Sequence, residues 1–414
     1  MRGGLTICPV SPLTPVEVSR KAGVDRGYID RLVQVGILAP SEPDGFSSGD
    51  VLRARWVRSW EEAGVPLDAM AAAVREGRLS FAFLDVPAFD RFTALSTKSF
   101  REVSEAARVP MDLLRVVREA FGYAEPRPDD LVREDELAVV AAIELMLASG
   151  FRPLVIERWL RVCADNLRRI VETEDDWWRS EVEEPLLESM AEADMFKAQA
   201  DLGSRVAPLA EAALIAIYRG QQEHVWSQSL AESIEGALEK AGLAKRMHGP
   251  PAVSFLDITG YTRLTEEHGD TAAVDLATRL SDLVRRSANE NSGRPVKWLG
   301  DGVMFVFKDP GSGVMAALEM VEGVETSGLP PAHVGIHAGP VVFEGGDYFG
   351  RTVNLAARIG EYARPGEVVV SQQVVDESEG KPASFTEIGP VELKGVSEPL
   401  RLYVARRAGT ASQP

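Results

Sequence analysis

Two hydrophobic periods divide this chain. Up to about residue 243 the apolar positions fall in short clusters, among them Val16, Val18, Ile29, Leu32 and Val33, separated by polar turns. That spacing predicts compact helix-turn-helix units. Helices continue from Leu154 to Leu243, where DDWWRSEVEEPLLESM gathers its bulky apolar residues on one face. Leu230, Ile234 and Leu238 then recur at i, i+4 and i+8. Such a stripe usually faces a core, and in a last helix it also suits pairing with its twin in a dimer. The step HGPP at 248–251 cannot continue that helix and marks a domain boundary. Beyond it, AVSFLDI, VKWLGDGVMFVF, AHVGIHAGPVVF and GEVVVS are rich in β-branched and aromatic residues and bounded by Gly, Pro and Asp. These are strands. Helical stretches near 272–289, 312–325 and 352–362 separate them.

Strands alternating with helices, with VMFVF in a hairpin with its neighbour, predict an α+β sandwich of the ferredoxin-like kind. The first half carries an internal repeat. EVS at 17–19 recurs at 102–104, an offset of 85 that also takes Val24 to Val109, Ile29 to Leu114 and Asp50 to Asp135. One inserted residue later, EAGVP at 62–66 matches LASGFRP at 147–153. The second copy lacks the glycines that shape the first copy's turn.

At 414 residues the chain is expected to hold two or three domains. Its 45% hydrophobic and 26% charged content is ordinary for a soluble globular protein. A formal net charge of −18 argues against general affinity for nucleic acid or anionic membrane. Cys8 and Cys163 lie far apart with no metal-ligand spacing, which suits a cytoplasmic protein with both thiols buried. The N-terminus has no signal-peptide core, and the longest apolar run, Leu137 to Ala148, is interrupted by Glu144. It falls short of the ~20 residues of a membrane span.

Candidate chemistry lies in the second half. Asp257 ends the strand AVSFLD, and Asp301 occupies the turn GDG between two strands. Two carboxylates at the ends of adjacent strands can share a pair of hard divalent cations, because Mg²⁺ is held by one or two carboxylates plus substrate phosphates. Such ions lower the pKa of an attacking hydroxyl and neutralise a triphosphate leaving group. Between the carboxylates and the next helix, Gly260 in ITGYTRL lets backbone amides approach phosphate at a helix start. Asn354 and Arg358 are four residues apart and share a helix face.

Together, Asp257, Lys297, the GDG at 300–302, Asp347 and NLAAR at 354–358 resemble the catalytic domain of class III adenylyl cyclases, over roughly the last two-fifths of the chain. The resemblance implies conversion of ATP to cyclic AMP and pyrophosphate with Mg²⁺ or Mn²⁺, two ions per site. Metal binding would fall to Asp257, Ile258 and Asp301, and phosphate binding to Gly260 and Thr262. Lys297 would donate to adenine N1 and Asp347 accept from the exocyclic amine, a pattern that guanine reverses. A site built for such hydrogen bonds rejects the wrong base by ~10⁴ or more. Asn354 would hold the ribose, and Arg358 would meet charge developing on the α-phosphate, to which a planar, permanently charged guanidinium is suited. Lys394 in ELKGV matches a triphosphate-binding lysine. In this family the aspartates act in one protomer and the base, ribose and arginine positions in the other, so a homodimer with two equivalent sites is expected.

Two shorter matches point elsewhere and are set aside. GGDYF at 345–349 resembles the GGDEF hairpin of diguanylate cyclases, but Tyr348 replaces the second acid. GSGVMAA at 311–317 fits a dinucleotide fingerprint without its βαβ unit and is expected to start a helix.

Residues 16–64 resemble a MerR-type winged helix, in AGVDRGYIDRLVQVGIL, a turn with GF at 45–46, and GDVLRARWVRSWEEAGV. Residues 101–243 resemble the regulatory domain that precedes the catalytic domain in some actinobacterial cyclases, through VREDELAVV and SGFRPLVIERWLR. Asp25 and Asp30 accompany Arg26 and Arg31 in the recognition segment, and GFSSGD lacks the arginines that grip phosphates. A regulatory or dimer-forming module is therefore expected rather than a DNA-binding transcription regulator. The expected domains are 1–95 (winged-helix unit), 96–245 (second copy, helical bundle and linker helix), 246–408 (cyclase domain) and 409–414 (flexible tail). The effector, a pH signal or a small hydrophobic ligand, is left open.

Overall fold

The computed structural model describes residues 12–40, 45–85, 92, 94–189, 192–244, 249–260, 270–300, 302–378 and 380–409. Cys8 and the tail residues 410–414 lie outside the described residues. The chain divides into two compact units, Met1–Val225 and Trp226–Pro414.

The first unit is helical. α1 (Pro15–Ala22), α2 (Arg26–Gln34), α3 (Ser48–Glu62) and α4 (Leu67–Arg75) span the segment expected from the sequence to be the first copy of the repeat. The second copy adds β1 (Leu95–Ser99) and β2 (Leu131–Arg133) to α5 (Phe100–Ala107), α6 (Met111–Ala120), α7 (Glu134–Ala148) and the longer α8 (Pro153–Trp178). A π-helical turn at Arg179–Glu183 leads to α9 (Glu184–Ser189), and α10 (Glu192–Lys240), which carries Pro208 in its interior, has its residues from Trp226 onward in the second unit. Each copy has its own core, built on Val18, Ile29, Leu32 and Val57 in the first and on Phe100, Leu114, Val117 and Ile143 in the second.

The copies repeat their local chemistry as well as their apolar positions. Thr14 and Ser99 cap α1 and α5 in reciprocal boxes with Glu17 and Glu102. The Ser19 hydroxyl donates to the Val24 carbonyl, and the Ser104 hydroxyl to that of Val109, both at 2.7 Å. One pairing needs correction. α6 is ten residues long against nine for α2, so the register has already slipped to 86 when α7 begins. Both α3 and α7 place an acid at the third helical position, and these are Asp50 and Glu136. The structural counterpart of Asp50 is therefore Glu136 rather than Asp135.

The Leu230/Ile234/Leu238 stripe on α10 is exposed and is not a core face of the single chain. Cys163 on α8 is half-buried, less enclosed than expected, and burial raises its thiol pKa. No described helix is long and apolar enough to cross a membrane.

The second unit runs β3 (Ala252–Ile258), α11 (Asp270–Glu290), β4 (Gly293–Leu299), β5 (Gly302–Phe307), α12 (Pro310–Thr326), β6 (Ala332–Ala338), β7 (Val342–Glu344), β8 (Asp347–Phe349), α13 (Arg351–Tyr362), β9 (Val368–Ser371), α14 (Gln372–Asp376), β10 (Ala383–Val391) and β11 (Leu400–Arg407). Seven strands form one mixed sheet in the order β10-β11-β9-β6-β3-β5-β4, with β6 and β9 parallel and the other pairs antiparallel. β7 and β8 pair as a separate ribbon.

Period-2 alternation sorts the strand residues onto two faces. Leu256, Val303, Phe305, Phe307, Val334 and Ile336 join Leu280 and Val284 of α11 and Val314, Ala317 and Val321 of α12 in the main core. On the opposite face Val253, Met304 and Val306 meet Val353 and Ala356 of α13. A Cβ on Gly335 would lie 2.0 Å from the Gly360 nitrogen, so α13 rests backbone against backbone on β6. GSGVMAA opens α12, with Asp309 accepting from the Ser312 N–H at 2.8 Å. It is a helix start, as its sequence context indicated.

Candidate active site

Antiparallel registry sets Asp257, near the end of β3, opposite Gly302 of β5 and His333 of β6. Its carboxylate is half-exposed and lies 3.6 Å from His333 Nε2. A Cβ on Gly302 would stand 3.2 Å from Asp257 Oδ1, so glycine keeps the flank of the carboxylate open. A hard anionic oxygen at a strand end with a cleared flank fits a divalent cation. Ile258 is buried in the core through its side chain, which leaves only its backbone carbonyl to a ligand. Gly260 lies in the following turn at φ 79°, a conformation few other residues take. Asp301 and Thr262 lie outside the described residues. His333 was missed as a neighbour of Asp257, and only strand registry reveals it.

Lys297 of β4 reaches Asp347 of β8 at 2.5 Å, with both side chains about two-thirds buried. The Tyr348 N–H donates to the other carboxylate oxygen at 2.8 Å. Burial pushes the Asp347 pKa up. The Lys297 hydrogen bond, the Tyr348 N–H and the lysine charge outweigh it and hold the pKa below the ordinary carboxylate value. Asp347 directly follows the two-residue loop Gly345–Gly346, where both glycines have positive φ. A two-residue hairpin loop of type I′ requires this geometry, which suits the GG of GGDYF.

On α13, Asn354 is exposed and Arg358 half-buried one turn further on. Arg358 Nη1 donates to both oxygens of Glu361 at 2.6 Å. Glu361 was also missed, although its i+3 spacing from Arg358 signals such a contact. Lys394 is exposed in the turn between β10 and β11, at the opposite edge of the sheet from β4. The structure thus brings Lys297 to Asp347, sets Asp257 against the start of β5, and mounts Asn354 and Arg358 on one helix. Among the described residues, Lys394 takes part in none of these contacts.

Residues 243–406 match the adenylate and guanylate cyclase catalytic domain, and residues 90–224 match the adenylate cyclase regulatory domain. A pH-sensitive adenylate cyclase of Mycobacterium tuberculosis is 30% identical over 325 residues, which cover 75% of this chain and 79% of that protein. The chain belongs to the adenylate cyclase family. An adenylate cyclase of Streptomyces griseus is 34% identical over 152 residues, 36% of this chain and 37% of that protein. Among solved structures, the adenylyl cyclase CyaB from P. aeruginosa matches at 25% identity and a TM-score of 0.34, over 38% of this chain and 95% of that one. In this cyclase the catalytic match takes in every candidate site residue. The regulatory match takes in the second copy of the helical repeat and begins after the first has ended.

Proposed function

We propose that this adenylate cyclase converts ATP to 3′,5′-cyclic AMP and pyrophosphate at two equivalent sites shared between the protomers of a homodimer. The observation that carries the substrate assignment is the Lys297–Asp347 pair, a donor beside an acceptor on neighbouring elements. Adenine presents the complementary acceptor and donor. Asp257, Ile258 and Asp301 would hold Mg²⁺ or Mn²⁺, two ions per site. Bound metal supplies the charge that acidifies the ribose 3′-hydroxyl and neutralises the leaving pyrophosphate. That hydroxyl gives its proton to solvent water and attacks the α-phosphorus, and the bond from the α-phosphorus to the bridging oxygen breaks to release pyrophosphate. Asn354 orients the ribose. Arg358 turns from Glu361 to the α-phosphate as negative charge develops there. Gly260, Thr262 and Lys394 complete the triphosphate contacts.

The purified full chain should form cyclic AMP and pyrophosphate in equal amounts from ATP with Mg²⁺ or Mn²⁺, and absence of cyclic AMP with either ion would overturn the assignment. Arg358→Ala should lower kcat by ~10²–10³. Mixed with Asp301→Ala it should regain activity, because one site of the heterodimer keeps every group. Failure to regain activity in demonstrated heterodimers argues against shared sites.

We read the helical unit as a regulator within a cytoplasmic enzyme, its copies built on a winged-helix plan. Arg26 is paired with Asp30 at 3.1 Å and Arg31 with Glu61 at 3.5 Å, which supports a regulatory role over a DNA-binding one. Ile234→Pro, which interrupts α10, should change turnover without touching a site residue. Unchanged turnover in this variant would count against regulation.

A further inference from the structure

The β7–β8 ribbon carries Asp347, yet each strand has three residues and, among the described residues, the two pair only with each other. A hairpin this short is not stable on its own. A carboxylate that reads a base must nevertheless be held to within a fraction of an ångström. What holds the ribbon is a second contact beside Lys297. Arg294, on the same edge strand, lies with its guanidinium carbon 5.3 Å from the Tyr348 ring centroid and 5.8 Å from that of Phe343. Its Nη2 donates to the Tyr348 hydroxyl. Phe343 and Tyr348 are directly opposed across the ribbon, with centroids 4.9 Å apart. Tyr348 also packs against the cluster of Val253, Met304 and Val306. The residue that takes the arginine through its ring and hydroxyl therefore also donates its N–H to the Asp347 carboxylate.

Arg294 and Lys297 are three residues apart, and in a regular strand that odd spacing sends side chains to opposite faces. Here Arg294 pairs with Val306 and Lys297 with Met304, two residues apart on β5, with a register shift between Pro295 and Lys297. A bulge absorbs Val296, and both cations project from the same face. Bulges recur beside active sites because they re-aim a side chain. An edge strand can also take the proline that precedes this one.

We infer that Arg294 and Tyr348 are positioning residues for base selection. They clamp the ribbon so that Asp347 meets the exocyclic amine, and the Val296 bulge lets one strand supply both the clamp and the base-reading lysine. The inference rests on the assignment of Lys297 and Asp347 to adenine.

The test measures kcat and KM for ATP and GTP with the full chain, wild type beside Arg294→Ala, Arg294→Lys and Tyr348→Phe. Arg294→Ala should raise the KM for ATP and lower the ATP-over-GTP preference in kcat/KM by about tenfold, the scale of one lost charged hydrogen bond. Arg294→Lys, which keeps the charge over the rings, and Tyr348→Phe, which keeps the ring, should each lose less. Proportional loss with both nucleotides, leaving their ratio unchanged, would mean that Arg294 only stabilises the fold, and it overturns the inference. So does no change at all. A wild type without preference for ATP would overturn the base-reading assignment, and this inference with it. A wild type that prefers ATP, and keeps that preference in Arg294→Ala, overturns this inference alone.

Discussion

In the helical unit Glu136 is fully enclosed, with Arg118 Nε at 2.6 Å and the Arg133 backbone N–H at 2.8 Å, while Arg118 lies over the rings of Phe100 and Tyr123. The first copy solves the same position with Asp50 and Arg53, and Arg53 continues to Asp85 at 2.8 Å. In the catalytic unit the site pairs stay open. The side chains of Lys297 and Asp347 are 35% and 29% exposed, and those of Arg358 and Glu361 are 39% and 59% exposed. An enclosed pair fixes one arrangement of helices, since separating it strands a charge without water. A half-open pair satisfies its members in the free protein and can be exchanged for a ligand. The enclosed pairs of the first unit are structural, and the half-open site pairs of the second are available for binding.

The strongest way to break this contrast is Glu136→Ala. Removing one partner leaves Arg118 buried without a counter-charge among the described residues, with only the Leu131 carbonyl still accepting from it, a cost of about 3–5 kcal/mol. Hydrogen exchange in α6 and α7 should accelerate accordingly. Protection within 1 kcal/mol of wild type (roughly the worth of an exposed pair) would show that the enclosed pair is not structural.

The catalytic unit has a buried titratable group of its own, and it is kept neutral. His337 on β6 is buried, with Nδ1 2.8 Å from the Ser371 hydroxyl, and burial first and Arg351 second lower its pKa from 6.5 to about 4. The unfolded chain takes up this proton as pH falls through 6.5, and the folded chain does so only near 4. Stability contributed by neutral His337 is therefore complete above 6.5 and lost as pH falls toward 4, about 3 kcal/mol in all. Exchange of the β6 and β9 amides should rise over that window, and His337→Gln should flatten the rise. An identical pH dependence in His337→Gln would show that another group is responsible.

What the sequence made legible follows the same division. That Asp257, Lys297, Asp347, Asn354 and Arg358 lie on strands, a hairpin and one helix face was legible from local pattern, while the roles proposed for them come from the family resemblance. The Arg294 clamp, the Asp257–His333 approach and the Gly335–Gly360 contact depend on strand registry and on how closely a helix rests on the sheet. No local pattern carries those. In the helical half the EVS repeat and an inserted residue were legible, but the place of the insertion was not, because both Asp135 and Glu136 could pair with Asp50 until the lengths of α2 and α6 were known.

The smallest predicted effect concerns the repeat itself. Ser19 and Ser104 make the same hydroxyl-to-carbonyl bond at 2.7 Å across the turns that end α1 and α5, in surroundings that differ. The first turn passes through Gly23 at φ 74° and the second through Arg108 at φ 53°. Left-handed backbone suits glycine and costs arginine roughly 1 kcal/mol or more, so the second turn is already strained. Each serine bond contributes about 1 kcal/mol net. Ser19→Ala and Ser104→Ala should therefore cost the same free energy, while local opening measured by hydrogen exchange starts from a less stable turn in the second copy. Arg108→Gly should bring its protection up toward that of the first, and Gly23→Ala should bring the first down. If Arg108→Gly instead leaves the second turn unchanged, the strain is offset by neighbouring contacts. The two copies would then differ in packing rather than in backbone.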